Sequence, residues 1–376
     1  MSRIGLIVNP IAGMGGRVGL KGTDGPEVLE RALQLGAVPV AAERTVRALA
    51  RLELVLRHEH KVSLVAAAAE MGADLAEAYS FETDVLPAAG HPGASTAADT
   101  RAAAAELARR GIDLLLFAGG DGTIRDIHDA VGDHVPVLGI PTGVKMHSAV
   151  FATSPENAGE VAATFLADGE AAELREVEVV DLNESAARDG RIETRLCGSV
   201  RVPADRLRMQ AAKARSGAAD DAALDAVCRW IADDMDPRRI YVLGPGTTTK
   251  RIAGHLGLPK TLLGIDAVRG GRLVGADLGE RGLLDLLGGE AATLLLGVVG
   301  GQGALLGRGN QQLSPAVLRQ IGVENVEVVA GLAKLVALDP PWLRVDTGDP
   351  GLDAELEGYR RVHVAPRRTH VCKVAA

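Results

Sequence analysis

The stretch LLLFAGGDGTIRDIHDAV, residues 114–131, decides the fold of this chain. An apolar run over 112–117 predicts a buried β-strand, and 123–131 has the apolar spacing of a helix. The pentapeptide GGDGT, residues 119–123, joins the two. Its glycines allow a sharp turn and a close approach of the backbone to a ligand, and the N–H groups at a helix start attract an anion. The stretch therefore predicts a phosphate site.

Asp121 is the unusual member of this pentapeptide, because a carboxylate among phosphate-binding amides repels phosphate. It is suited instead to accept a proton from a hydroxyl group or to hold a metal ion. A glycine-rich loop with a central carboxylate therefore favours phosphoryl transfer to an alcohol, with Asp121 as the catalytic residue. The alternative is a tight strand-to-helix turn with a solvated aspartate.

The first 150 residues alternate short apolar runs with helical stretches, which predicts a doubly wound parallel sheet. The strands are expected at 4–8, 62–67, 84–88, 114–117 and 135–140. Between them, helices are expected at 26–35, 41–57, 71–79 and 96–110. Such sheets bind ligands at the carboxyl ends of their strands.

Three loops are expected at that edge: the first loop (9–16), the second loop (119–123) and the third loop (139–145). Their binding candidates are Asn9, Gly13, Gly15, Gly16, Gly119, Gly120, Gly122, Thr123, Thr142 and Gly143. Lys145 is a second catalytic candidate, because a cation there could neutralise charge on a transferred phosphoryl group. A solvated lysine is the alternative.

A polar, glycine-rich insertion, 21–25, follows the first loop. It could fold over a ligand, with Lys21 on phosphate and Asp24 on ribose or a metal ion. An ordinary turn with Asp24 near a helix start is the alternative.

Residues 151–376 predict a second lobe, with a β-rich segment at 172–203 and an α/β part at 223–376. The 244–249 loop has two glycines and three hydroxyls before a helix, as in a phosphate nest. Its candidates are Gly244, Gly246, Thr247, Thr248 and Thr249. Further candidates are Gly301 and Gln302 in a glycine loop. The amides of Asn310, Gln311 and Gln312 could recognise a base edge or a carboxamide, helix capping being the alternative.

Composition argues against several partners. The formal net charge is −8 with scattered basic residues, and aromatic residues make up 2% of the chain, so neither a nucleic-acid surface nor an anionic-membrane surface is expected. Three cysteines without metal-type spacing favour a reducing compartment, and a strand-like run at 4–8 leaves no room for a signal peptide. We expect a cytoplasmic homo-oligomer that binds small nucleotides.

The GGDGT loop together with Asn9-Pro10 resembles the superfamily that joins NAD kinases, diacylglycerol kinases and phosphofructokinases. A longer set of segments is similar to the bacterial and archaeal ATP-NAD kinase-like family, which includes AcoX proteins encoded with acetoin catabolism genes. These segments are VNPIAGMGGRVGLKGTDG (8–25), GIPTGVKMHSAVFA (139–152), LGPGTTTK (243–250), GGQGALLGRGNQQLSP (300–315) and LRVDTGDPGLD (343–353).

This resemblance implies that Asp121 accepts the proton of, or positions, the 2′-hydroxyl of an adenosine ribose, while the second loop holds the donor phosphates. Asn183 and Glu184 offer the Asn-acid pair that grips the dinucleotide in such enzymes, an exposed loop being the alternative. Lys145, with the Met-His pair after it, stands where the better-known kinases are more apolar, which leaves the acceptor open.

The leading hypothesis is an NAD kinase-like phosphotransferase that moves the γ-phosphoryl of ATP, or of polyphosphate, to NAD with Mg²⁺ on the donor. A kinase for another small alcohol or polyol linked to acetoin catabolism is one alternative, and a non-catalytic NAD(P)- or ATP-binding sensor is another. The expected fold is an NAD kinase-like doubly wound N-terminal domain, 1–150, and a second α/β lobe, with the site in the cleft between them.

Overall fold

A computed structural model describes residues 2–20, 22, 25–56, 62–87, 95–144, 146–182, 194–205, 207–209, 218–299 and 303–376. Two sheets and a two-stranded hairpin make up the β-structure of these residues. Seven of the predicted site residues lie outside the described ranges: Lys21, Asp24, Lys145, Asn183, Glu184, Gly301 and Gln302.

The first sheet has five parallel strands in the order β3-β2-β1-β4-β5. Their bounds are β1 Ser2–Val8, β2 Val62–Ala66, β3 Glu82–Val85, β4 Leu114–Gly119 and β5 Val137–Pro141. Both central β4 and the neighbouring β5 are buried along their whole length. Continuous apolar runs of this kind are typical of parallel strands covered on both faces, so the predicted sheet is confirmed.

Six helices accompany this sheet: α1 Pro26–Gln34, α2 Ala41–Leu56, α3 Ala73–Ala76, α4 Ala97–Arg109, α5 Asp121–Val131 and α6 Pro155–Asp168. The helix predicted at 71–79 is only a 3₁₀ turn, Ala69–Met71, followed by the short α3. Helix α6 packs on α2 so closely that a Cβ on Gly159 would lie 2.2 Å from the Ala48 carbonyl oxygen. Gly159 lies beyond residue 150, where the sequence predicts the boundary between the two domains. The contact does not locate that boundary, which stays a prediction.

The helix after the second loop begins two residues earlier than predicted, at Asp121 instead of Thr123. Gly120 is its N-cap, with extended backbone at φ −128° and ψ −165°. The glycine at position 122 suggests loop because glycine is a weak helix former. Packing of Ile124 and Ile127 into the core supplies the stability that this propensity lacks.

The β-rich segment is an antiparallel hairpin of β6 Leu174–Leu182 and β7 Thr194–Pro203. It packs against α5, where a Cβ on Gly198 would lie 2.3 Å from the imidazole of His128. The hairpin thus lies directly against the helix that begins with Asp121.

The second sheet has eight strands in the order β10-β9-β8-β11-β12-β14-β15-β13. Their bounds are β8 Ile240–Leu243, β9 Asp266–Arg269, β10 Arg272–Gly275, β11 Ala292–Gly297, β12 Val326–Val329, β13 Trp342–Arg344, β14 Gly358–Ala365 and β15 Arg368–Ala375. The central four, β8, β11, β12 and β14, are parallel to one another. Strand β9 runs antiparallel to both β8 and β10, whereas β15 runs antiparallel to β14 and parallel to β13. The second lobe is therefore a mixed α/β sheet.

The helices of this lobe are α7 Ala218–Asp233, α8 Thr247–His255, α9 Glu280–Leu287, α10 Pro315–Ile321, α11 Leu332–Val336 and α12 Pro350–Leu356. Among the described helices, none is long and apolar enough to cross a membrane. The start of α9 meets the chain just after the first loop, where Glu280 N donates to Arg17 O at 2.8 Å. The chain just after the first loop therefore lies against the second lobe.

Candidate active site

The first and second loops are joined by a side-chain hydrogen bond. Asn9 Nδ2, directly after β1, donates to the hydroxyl oxygen of Thr123 at 3.1 Å. Thr123 is buried, and its side chain fills the space beside Gly119, where a Cβ would lie 2.4 Å from the hydroxyl oxygen. Gly119 is required here because any larger residue would displace Thr123 and break the link to Asn9.

The third loop meets both of the others through backbone contacts. The carbonyl of Gly119 accepts hydrogen bonds from Thr142 N at 3.2 Å and Gly143 N at 2.9 Å. Gly13 has a φ of +76°, and a Cβ there would lie 2.0 Å from the Thr142 carbonyl oxygen. The three loops that follow β1, β4 and β5 thus form one surface of closely packed backbone, as expected for the carboxyl edge of a parallel sheet.

Asp121 lies where these loops meet and is only 2% exposed. One of its carboxylate oxygens accepts a hydrogen bond from His147 N at 2.6 Å, and the other accepts one from Ser148 N at 3.0 Å. Two backbone donors therefore fix the plane of the carboxylate, while each oxygen keeps a second lone pair.

Burial raises the pKa of Asp121 above the ordinary carboxyl value, because a charged carboxylate loses its hydration. Charge interaction with His147 and the hydrogen bonds from Ser148 and His147 lower this pKa only in part. A carboxylate with a raised pKa is a better proton acceptor, which is what general base catalysis near neutral pH requires.

Ser148 connects the Asp121 environment to the hairpin. Its hydroxyl accepts a hydrogen bond from Val180 N and donates one to Val180 O, both at 3.1 Å. One residue further along β6, Asp181 pairs with Arg125 of α5 at 2.6 Å. The end of β6, which leads to the predicted Asn183-Glu184 pair, is therefore held both by Ser148, after β5, and by Arg125 of α5.

The 307–312 segment of the second lobe lies over the first and third loops. Gln311 Nε2 donates to Gly143 O at 3.4 Å and to Gly307 O at 3.3 Å. Its stem packs on Gly16, where a Cβ would lie 2.9 Å from that of Gln311. Asn310, in contrast, uses its amide within the segment: it donates to Leu305 O and accepts from Gly307 N. These two bonds account for one donor and one acceptor site of the Asn310 amide, and its ligand role stays a prediction.

The 244–249 loop lies at the carboxyl end of β8. Gly246 has a φ of +112°, and its N–H donates to Leu262 O at 2.8 Å. The hydroxyl of Thr249 is fully buried and donates to Gly244 O at 2.5 Å, so it closes the turn. Thr247 is exposed at the first position of α8, and Thr248 is partly exposed beside it. These two hydroxyls are the better placed of the three to meet a ligand.

A buried ion cluster crosses between the lobes. Arg44 of α2 forms a bidentate pair with Asp346, which follows β13, and its Nε donates to the Pro141 carbonyl. Arg308 approaches the same carboxylate at 3.5 Å and donates to Thr153 O at 2.9 Å. Burial lowers the pKa of Arg308 to about 10 against the attraction of Asp346. Burial acts to raise the pKa of Asp346, but the positive charges of Arg44 and Arg308 hold this pKa below its usual range.

Sequence reasoning missed Arg44, Ser148 and Arg308, whereas Gln311 is one of the loop amides that it put forward. Arg44 lies in an ordinary helical stretch, and its partner is 302 residues away, so no local pattern marks it. A weak signal existed for Ser148 and Arg308, since both lie inside segments that the family resemblance singled out. Within the described ranges, no group of three or more His, Cys, Asp or Glu side chains could hold a metal ion.

Comparison with protein families gives two matches. Residues 4–171 match the ATP-NAD kinase N-terminal domain, and residues 238–374 match the ATP-NAD kinase C-terminal domain. No curated protein matches the chain. The two domain matches lie in chain order and contain the three loops, Asp121 and the 307–312 segment.

Proposed function

The chain belongs to the ATP-NAD kinase family, and from this premise we propose that it transfers the γ-phosphoryl group of ATP, or of polyphosphate, to the 2′-hydroxyl of NAD. The observation that carries the proposal is the position of Asp121, a buried carboxylate with a raised pKa at the junction of three glycine loops. A carboxylate in that position suits deprotonation of an alcohol beside bound phosphates.

In the proposed reaction, the 2′-hydroxyl oxygen forms a bond to the γ-phosphorus while the bond from that phosphorus to the leaving oxygen of ADP breaks. The hydroxyl proton passes to Asp121, whose orientation is kept by the backbone N–H groups of His147 and Ser148. Positioning and charge stabilisation supply most of the catalysis in phosphoryl transfer, so a rigidly held base suits the reaction.

Phosphate binding is assigned to the second loop and its neighbours. Gly119, Gly120 and Gly122 bring backbone close to a ligand at the start of α5, where helix N–H groups and the helix dipole favour an anion. The hydroxyls of Thr247 and Thr248 are a second phosphate-binding candidate. Mg²⁺ is proposed to be bound mainly by the donor phosphates, as is usual for this small, strongly hydrated ion.

The test is NADP formation by the purified protein with NAD, ATP and Mg²⁺, compared with Asp121→Asn. We expect the variant to bind both nucleotides and to lose about 10²- to 10⁴-fold in kcat, the usual contribution of a general base. Asp129→Asn is the matched control, because Asp129 lies on the same helix with its side chain 54% exposed. It should react like the wild type.

Normal turnover by Asp121→Asn would remove the assigned role of this carboxylate. Replacing ATP by polyphosphate identifies the donor, and a panel of small alcohols and polyols identifies the acceptor. If ATP is consumed with such an alcohol and not with NAD, that alcohol replaces NAD as the proposed acceptor. Nucleotide binding without turnover of any acceptor would instead favour a sensor.

A further inference from the structure

Gln311 connects three pieces of the candidate site. Its stem packs on the Gly16 backbone of the first loop, and its Nε2 donates to Gly143 O of the third loop and to Gly307 O of its own segment. Its Oε1 is buried and has no hydrogen-bond partner among the described residues. The Gln311 carboxamide therefore bonds to the protein through its Nε2 only, while its Oε1 has no hydrogen bond.

The orientation of this carboxamide follows from its neighbours. Rotating the amide by 180° would bring Oε1 against the carbonyl oxygens of Gly143 and Gly307, and two acceptors repel each other. The amino group must therefore face these carbonyls, and the oxygen must face away from them. A buried acceptor without a partner is costly, and native proteins keep few of them.

The neighbouring amide shows that this segment can satisfy polar side chains with bonds inside the protein. Asn310 donates to Leu305 O and accepts from Gly307 N, so both ends of its side chain are bonded. Gly16 has no side chain that could approach the Gln311 carboxamide. The carboxamide carbon of Gln311 would lie 3.3 Å from a Cβ on Gly16, and its amino group meets Gly143 O, so the unpaired acceptor belongs to a carboxamide held between the first and third loops.

We propose that Gln311 is a specificity-determining residue, whose Oε1 accepts a hydrogen bond from a planar N–H donor of the bound nucleotide. This inference rests on the proposed function for the choice of nucleotides. Phosphate groups are excluded as the partner because they, like Oε1, are acceptors. The donors of the required kind are the carboxamide of nicotinamide and the exocyclic amino group of adenine. Because Oε1 is buried, the contact requires the residues around the carboxamide to shift as the nucleotide enters.

The test measures dissociation constants by calorimetry and needs no turnover. The wild type, Gln311→Met and Gln311→Glu are each titrated with NAD and with two of its analogues. The 3-acetylpyridine analogue lacks the carboxamide donor. The hypoxanthine analogue has an acceptor in place of the amino donor of adenine. ATP and ITP form a second pair that differs in the same amino group. Gln34→Met, an exposed glutamine on α1, is the matched control.

We expect Gln311→Met to bind the nucleotide with the intact donor about five- to tenfold more weakly, the worth of one hydrogen bond, and to bind the analogue without that donor as well as the wild type does. The analogue that shows this pattern identifies the donor. Gln311→Glu keeps an acceptor at this position and should keep the wild-type preference, even if the repulsion from Gly143 and Gly307 weakens all binding.

If Gln311 had a purely structural role, Gln311→Met would weaken the binding of every nucleotide by the same factor, and that result would overturn the proposal. Unchanged affinity for all of them would overturn it as well. The test measures nucleotide binding and not NADP formation, so an inactive kinase would not by itself produce either of these results. If the wild type binds ATP and not NAD, the ATP and ITP pair alone decides the role of Gln311.

Discussion

The guanidinium of Arg44 binds the carboxylate of Asp346 in the second lobe and, through Nε, the carbonyl of Pro141 at the end of β5. The side chains of Arg44 and Asp346 are 12% and 5% exposed, so water contributes little to their solvation. Thr142 and Gly143 follow Pro141 directly. The pair therefore couples the position of the second lobe to the third loop of the candidate site.

Asp346→Asn should destabilise the protein by about 3–5 kcal/mol, because it leaves the buried guanidinium groups of Arg44 and Arg308 without their carboxylate. Urea unfolding at pH 7 measures the loss. Arg238→Gln is the control, since its exposed pair with Asp236 is open to solvent and should contribute nothing measurable. Equal midpoints for wild type and Asp346→Asn would contradict the role of this cluster.

Asp121 should make the protein less stable as pH rises. Its folded-state pKa is raised by burial above the unfolded value of about 3.9, so the folded state binds its proton more tightly. Its contribution is complete below the unfolded pKa and is lost as pH rises through the folded pKa. The stability of the wild type minus that of Asp121→Asn should therefore fall from pH 4 upward and then level off.

Urea unfolding of both proteins between pH 4 and pH 8 gives this difference, in which the titration of the other groups largely cancels. The same measurement on Asp129→Asn, on the exposed side of the same helix, shows how much of the difference comes from removing any carboxylate from α5. A difference that increases with pH would mean that the folded state favours the ionised carboxylate, contrary to the effect of its burial.

The parts of this site that could be predicted from the sequence are those with a local cause. Gly119 and Asp121 follow an apolar strand and precede a helix, and the order of these elements alone places them at the carboxyl edge of a parallel sheet. The start of α5 at Asp121 could not be predicted, because burial of Ile124 and Ile127 overrides the weak helix propensity of the glycine between Asp121 and Thr123.

The sequence cannot rank two neighbouring side chains that have the same chemistry. Asn310 and Gln311 are adjacent amides, and composition gives no reason to choose between them. The fold brings Leu305 O and Gly307 N to Asn310, while it directs Gln311 to Gly143 and Gly16. Contacts between the lobes are set by packing at long range, so the sequence holds no local record of them.

Gly13→Ala should disrupt the junction of the first and third loops. The added Cβ would lie 2.0 Å from the Thr142 carbonyl oxygen and 2.8 Å from Val40 Cγ2, at a φ of +76°. Gly36→Ala is a matched control, because Gly36 has a φ of +80° and nothing within 4 Å of the added atom. The control should lose only the cost of a left-handed alanine, about 1–2 kcal/mol.

We expect Gly13→Ala to lose more stability than the control in urea unfolding and to weaken ATP and NAD binding, while Gly36→Ala binds both normally. The difference between the two variants isolates the steric contact from the backbone strain. Equal losses in both would show that the contact between Gly13 and Thr142 relaxes without consequence.

Ser148→Ala should affect the anchoring of the hairpin more than the support of Asp121. The Ser148 N–H that holds the Asp121 carboxylate is backbone and survives the change, whereas both bonds to Val180 and the smaller effect of the hydroxyl on the Asp121 pKa are lost. Leaving those polar groups unpaired should cost about 1–3 kcal/mol. Amide hydrogen exchange at Val180 should become faster, and kcat should fall far less than in Asp121→Asn. Thr164→Ala, which removes an exposed hydroxyl bond on α6, should change neither quantity. Unchanged exchange at Val180 would mean that the strand pairing within the hairpin, and not Ser148, fixes the end of β6 beside the site.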